Sequence, residues 1–412
     1  MEKQKCPVVR FNGYSESWKE QPLNNIFGRI RNAFVGTATP FYVKKGNFYL
    51  ESNNVKDGKI NKKSQIFIDD YFYLKQKDKW LKTDDLVMVQ SGHVGHSAVI
   101  SEELNNSAAH ALIMFSDYKM QTNPHFLNYQ WQTNNAKKAI EKIATGNTIR
   151  HILSSDMKEF LSFFSSYDEQ TQIGNFFQNL DKFIALQEKK LGQTQYLKKA
   201  MLEKMFPKEG CKQPEIRLKG FIEDWEEKQL KDISFKVLEK NCENLYSETF
   251  TNSAQFGVIS QRDFFDKDIS NASNIKGYYV VKANDFIYNP RISNFAPVGP
   301  IKRNKLGRTG VVSPLYFVFR VQGVDYQFLE TYFETSIWHK FMFLNGDTGA
   351  RSDRLAIKDT IFMEMPIYCP TLEEQKKVGQ FFKQLDRTLV LQQQQLQTLK
   401  NLKQAFLEKM FV

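Results

Sequence analysis

The chain has 412 residues, 41% of them hydrophobic and 25% charged, with a formal net charge of +11. That balance excludes a disordered or fibrous polypeptide, leaves room for two or three domains each with its own core, and favours a polyanionic partner. The four cysteines, Cys6, Cys211, Cys242 and Cys369, form no CxxC pair, which argues against a disulfide framework or a zinc site and suits free thiols in a reducing compartment.

The opening, MEKQKCPVVR, has no apolar targeting core, and no stretch approaches eighteen uninterrupted apolar residues. A cytoplasmic protein without a membrane partner is expected. Within residues 1–168, turn signals precede strand-like runs. Gly46-Asn47 leads into Phe48-Tyr49-Leu50, Asp57-Gly58 into Lys59-Ile60, and Asp84-Asp85 into Leu86–Val89. A helical pattern follows at Pro124–Ile143. The order returns in the second half, where Asn284-Asp285 precedes Phe286-Ile287-Tyr288 and Tyr326–Phe343 reads as the matching helix.

Two segments repeat almost unchanged. Residues 169–206 (EQTQIGNFFQNLDKFIALQEKKLGQTQYLKKAMLEKMF) reappear at 374–411 (EQKKVGQFFKQLDRTLVLQQQQLQTLKNLKQAFLEKMF), with 18 of 38 positions identical and no gap. A weaker match opens each half, Pro7, Arg10, Gly13, Trp18 and Leu23 aligning with Pro214, Arg217, Gly220, Trp225 and Leu230. A tandem duplication is implied: a variable module followed by a long helix, twice. The expected divisions are a first module at 1–168, a helix at 169–206, a second module at 207–373 and a second helix at 374–412. The Pro and Gly of PKEGCKQP (207–214) suit the boundary between halves.

Both helices carry an apolar stripe near 3,4 spacing. Phe176, Leu180, Ile184, Leu191 and Met201 mark it in the first, and Phe381, Leu385, Leu389, Leu396 and Phe406 in the second. Each helix spans roughly 55 Å at about 1.5 Å per residue. The stripes fit an ordinary core helix or a homodimer coiled coil, but the copy in the same chain is present at high effective concentration. Antiparallel pairing of the two copies is therefore expected. The fold class is α+β: two β-rich modules joined by two long helices pairing as an antiparallel coiled coil, in a pseudo-twofold tandem repeat.

Catalytic signatures are sparse, and no catalytic residue or metal site is assigned. There is no GxxxxGK[ST] loop and no GxGxxG after a strand. Tyr288-Asn289-Pro290-Arg291 is close to the Asn/Asp-Pro-Pro-aromatic signature of amino-methyltransferases, but lacks the second proline and the aromatic, and is read as a turn. Glu226-Glu227-Lys228 has no acidic partner for nuclease chemistry and is read as solvated surface. His93 and His96 in SGHVGH lie on a glycine loop without a third ligand. They suit contact with a phosphate or base, or an ordinary polar turn.

Loops of nucleic-acid-binding chemistry remain. In the first module they offer Lys44, Lys45, Ser91, His93, His96, Thr148 and Arg150. In the second they offer Asn289, Arg291, Asn294, Lys302, Arg303, Lys305 and Arg351. Arg and Lys bind phosphate or pair with guanine, Asn and Gln match adenine, and neighbouring glycines let backbone amides approach the sugar–phosphate chain. Their recurrence at corresponding places in both halves strengthens the reading.

Over its whole length the chain resembles the DNA-specificity subunits of type I restriction–modification systems. The resemblance rests on the two EQxxxGxFFxxLD…LEKMF segments, on the Arg-x-x-Gly…Trp starts at Arg10–Trp18 and Arg217–Trp225, and on the strand–loop units after Asp84-Asp85 and Asn284-Asp285. It implies that each module reads one half of a split, asymmetric double-stranded DNA site, with the helices as a ruler between them. Modules one helical turn apart on DNA need centres about 34–36 Å apart. It also implies two methylation subunits using S-adenosylmethionine at adenine N6, and two restriction subunits using ATP and Mg2+. The chain itself would hold no cofactor and catalyse nothing. The competing readings are a stand-alone methyltransferase or nuclease, and an assembly scaffold that does not touch DNA.

Overall fold

The structure, a computed structural model, describes residues 6–146, 149–264, 275–348 and 353–412. The chain divides into two compact units, Met1–Lys189 with Gln394–Val412, and Lys190–Gln393. Each unit holds one β-rich module and portions of both long helices.

In the first unit a four-stranded antiparallel sheet runs in the order Phe27–Asn32, Leu112–Tyr118, Leu86–Val89, Ser97–Val99. Every residue of Leu86–Val89 is buried, as a continuous apolar run covered on both faces requires. Its side chains alternate, as strand geometry dictates. Leu86 and Met88 enter one core cluster and Val87 and Val89 another. The second unit repeats the plan with Ser234–Lys236, Phe317–Val321, Phe286–Tyr288 and Ile301–Arg303. There Phe286 and Tyr288 face one cluster and Ile287 the other.

The turn before each central strand is the same device. Asp84 and Asn284 take left-handed φ values of 69° and 70°, a conformation in which Asp and Asn are enriched because their short polar side chains bond locally. The following carboxylates, Asp85 and Asp285, each accept the backbone N–H of Lys82 or Lys282 at 2.8 Å. The turn is thus closed by side chain as well as backbone.

The helix expected over Pro124–Ile143 is two helices, Pro124–Gln130 and Asn134–Ile143. Thr133 starts the second by accepting the Ala136 N–H on its hydroxyl at 3.2 Å, a capping preference that outweighs the continuing apolar pattern. Likewise Tyr326–Phe343 is divided into Tyr326–Tyr332 and His339–Asn345.

The long helices are Tyr167–Lys204 and Leu372–Lys409. In the first unit they run antiparallel, as the pairs Phe176–Phe406, Asp181–Lys403 and Glu188–Lys400 show. The stripe residue Ile184 is buried there, while Phe176, Leu180, Leu396 and Phe406 are partly buried. In the second unit Lys198 reaches Asp386 at 2.5 Å and Glu334 at 2.6 Å. Met201, Phe381 and Leu385 pack on that unit's core, and Leu191 and Leu389 are partly buried. Asp181–Lys403 and Asp386–Lys198 are the same pair of repeat positions, met once in each unit.

The repeated sequence has a definite job at each conserved point. Glu169 takes a two-point ion pair from Arg10, and Glu374 the same from Arg217. Gln170 accepts the Asn123 N–H at 3.0 Å, and Gln375 accepts the Asp325 N–H at 3.0 Å. Asn123 and Asp325 are themselves the caps of the module helices. Gly174 and Gly379 let those caps come close: a Cβ would lie 2.8 Å from Asn123 Oδ1 in one case and 2.9 Å from the Phe328 nitrogen in the other. The closing LEKMF completes a core. Leu407, Met410 and Phe411 join Trp18, Phe126, Ile173 and Phe177 in the first unit. Met205 and Phe206 join Trp225, Phe328, Val378 and Phe382 in the second.

Candidate nucleic-acid interface

Each central strand delivers its next residues to the same kind of loop pair. After Leu86–Val89, the Gln90 carbonyl accepts the Ile152 N–H at 3.0 Å, and the Gly92 N–H donates to the Arg150 carbonyl at 3.0 Å. A short antiparallel bridge joins Ser91 to His151. After Phe286–Tyr288, the Pro290 carbonyl accepts the Leu355 N–H at 2.9 Å, and the Ile292 N–H donates to the Asp353 carbonyl at 2.9 Å. Here the bridge joins Arg291 to Arg354. The backbone frame is one frame used twice; the side chains mounted on it differ.

In the first module this frame brings together Ser91, His93 and Arg150, the last two exposed. Gly92 takes φ 81°, which turns the chain sharply beside the exposed His93. His96 has a different position: its Nδ1 accepts the Asp57 N–H at 3.3 Å, tying this loop to the Asp57-Gly58 turn. Burial lowers its pKa, against the opposing pull of Asp57. Lys44 and Lys45 occupy a separate exposed turn between Tyr42–Val43 and Asn47–Glu51. Thr148 lies outside the described residues.

In the second module Arg291 is 71% exposed, 4.0 Å from the Asp353 carboxylate. Asn289 is held from both sides, its Nδ2 donating to the Asn252 carbonyl at 2.9 Å and its Oδ1 accepting the Arg291 N–H at 3.0 Å. Asn294 is exposed on the Ser293–Ala296 turn. Lys302 sits on the edge strand Ile301–Arg303. Arg303 and Lys305 converge on the buried carboxylate of Glu330 at 2.7 and 2.6 Å, and Arg303 also bonds Gln327 and Asn284. Arg303 is thereby committed inside the protein, while Lys305 keeps an exposed stem. Arg351 lies outside the described residues. Arg354, absent from the sequence-based set, joins Arg291 through the bridge.

The helix surfaces carry a second feature. Phe183 and Leu186 in the first unit are 62% and 63% exposed, and Val390 and Leu391 in the second are 55% and 48% exposed. These apolar side chains point away from the buried stripe. Among the described residues no cluster of three His, Cys, Asp or Glu could hold a metal ion, and no helix is long and apolar enough to cross a membrane.

Residues 222–401 match the family model described as the type I restriction modification DNA specificity domain. This match likens the second module and the helix after it to that specificity domain. The fold agrees along the whole length. A crystal structure of the type I restriction–modification S subunit from M. genitalium aligns with a TM-score of 0.60 at 14% identity, covering 99% of each chain. A second structure, from work on complex assembly and conformational transition of a type I system, aligns with a TM-score of 0.53 at 15% identity, covering 98% of this chain and 99% of that one. At such identities the structures speak for the fold, and the family match for the class of domain.

Proposed function

We propose that this chain is the DNA-specificity subunit of a type I restriction–modification complex. Each module reads one half of a split, asymmetric site in double-stranded DNA. The observation that carries the reading is the loop frame at the end of each central strand: it is repeated bond for bond in the two modules, yet presents Ser91, His93 and Arg150 in one and Asn289, Arg291 and Arg354 in the other. Like frames with unlike side chains suit two different half-sites. Exposed Arg and Lys side chains engage phosphate and fix register, while polar groups between them address base edges.

The long helices set the unspecified gap and seat two methylation subunits, for which exposed Phe183, Leu186, Val390 and Leu391 supply apolar docking surface. Those subunits carry the S-adenosylmethionine chemistry, and two restriction subunits supply ATP- and Mg2+-dependent work, all in the cytoplasm. This chain contributes recognition and assembly and no catalytic group.

Titration of duplex DNA with the purified chain at rising salt tests the reading. Counterion release predicts a steep fall of log affinity with log salt. A flat response would favour a scaffold that does not touch DNA. Methyl transfer from labelled S-adenosylmethionine by the chain alone would favour an enzyme.

A further inference from the structure

Beside the loop frame of the second module lies a cavity of about 340 Å³, whose lining includes Arg291 and Arg354 and no Asp or Glu. Its wall contains two acceptors that nothing in the described protein satisfies, Asn252 Oδ1 and Gln261 Oε1. Asn252 is 1% exposed. Its orientation is fixed, because Nδ2 donates to the carbonyls of Ile287 and Pro300 at 2.6 and 3.0 Å. The oxygen therefore faces a buried position without a donor, a state that is unfavourable unless a partner arrives. Two hydroxyls, Thr251 Oγ1 and Tyr316 Oη, 3.1 Å apart, line the same cavity.

Resting on the DNA-reading function above, we propose that this cavity is the base-reading pocket of the second module. It receives the exocyclic amino group of an adenine or cytosine in its half-site. In a paired base one amino hydrogen stays free in the groove, and it suits an orphaned carbonyl oxygen. The keto oxygen of guanine or thymine in that place would meet acceptors only. Both oxygens are recessed, so only a group that enters the cavity reaches them. Arg291 and Arg354 stand at the same site to hold the flanking phosphates, which carry no sequence information. Gln261 and Asn252 thus become specificity-determining residues, and the two arginines positioning residues.

The test is selection of duplexes from a random pool by the full chain, followed by sequencing. Wild type yields a two-part consensus. Gln261→Leu loses the preference for one amino-bearing base in one half by about tenfold. The other half, unchanged, shows that the protein is folded and binds DNA. Loss at a defined position also assigns the amino group to DNA and not to a free nucleotide. Gln261→Glu, which keeps an acceptor, retains the preference. Arg291→Ala and Arg354→Ala weaken all sequences alike. A consensus identical in wild type and Gln261→Leu overturns the pocket while leaving the specificity function standing. No consensus from wild type overturns both.

Discussion

Arg10 grips Glu169 with two nitrogens, at 2.6 and 2.8 Å, on a carboxylate whose side chain is fully buried. The contact ties the start of the first module to the start of the long helix 159 residues later. Glu169 also accepts the indole N–H of Trp18 at 3.2 Å. Arg10→Ala leaves a buried charge without its ion pair, and removal of one partner of such a pair costs about 3–5 kcal/mol. Chemical denaturation of the variant should show this loss in the first unit, and Arg217→Ala should show it in the second through Glu374. Equal midpoints for variants and wild type would contradict the role.

The glycines of the long helices divide into two kinds. Gly174→Ala drives a methyl into the cap of the Pro124–Gln130 helix, and Gly379→Ala does so at Asp325 and Phe328. Overpacking of this sort costs about 1–3 kcal/mol. Gly192 has nothing within 4 Å of where its Cβ would stand, so Gly192→Ala should stabilise the helix by up to about 1 kcal/mol. Melting curves of the three variants check both signs.

Asp85 sets a pH dependence. Burial pushes its carboxyl up to about 6, despite the Lys82 N–H that it accepts. The folded state binds the proton more tightly than the unfolded chain, whose carboxyl titrates near 3.9. Its contribution is therefore present below about pH 4 and is lost as the pH rises through about 6. Relative to Asp85→Asn, wild type should lose roughly 2 kcal/mol between pH 4 and pH 7. Parallel denaturation curves for the two proteins would contradict it.

Thiol reactivity follows exposure. Cys211 and Cys242 are exposed and Cys369 is buried, and burial pushes the Cys369 thiol up to about 12. Iodoacetamide at neutral pH should label Cys211 and Cys242 in the native protein and reach Cys369 only after denaturation, because the thiolate is the reacting species. Mass spectrometry of the labelled peptides reads the result.

Much of the architecture was legible because duplication is written in sequence. The stripe of Phe176, Ile184 and Phe381 and the Asp84-Asp85 and Asn284-Asp285 turns are local patterns with local causes. The breaks after Gln130 and Tyr332 were not legible, since the apolar pattern runs on through Trp131 and Phe333 while a single cap at Thr133 restarts the first helix. Nor could periodicity show that Leu407, Met410 and Phe411 finish the core around Trp18, because a stripe declares an apolar face without naming its partner. At the interface, chemistry singled out Arg291 and Asn289, but equally Arg303, whose internal partner Glu330 becomes visible only when the strand Ile301–Arg303 lies beside the Tyr326–Tyr332 helix. Arg354 and the unsatisfied oxygen of Asn252 have no sequence signature; they depend on a bridge and a cavity formed by distant segments.

The central claim, two independent readings held in one repeated frame, is tested most directly by sequencing methylated bases in a genome that carries this chain together with the proposed methylation subunits. Wild type is compared with a chain whose residues 215–373 are replaced by the corresponding module of a relative. The account predicts a two-part motif in which the exchange alters one half and leaves the other half intact. A change in both halves, or methylation that does not depend on this chain, would contradict it.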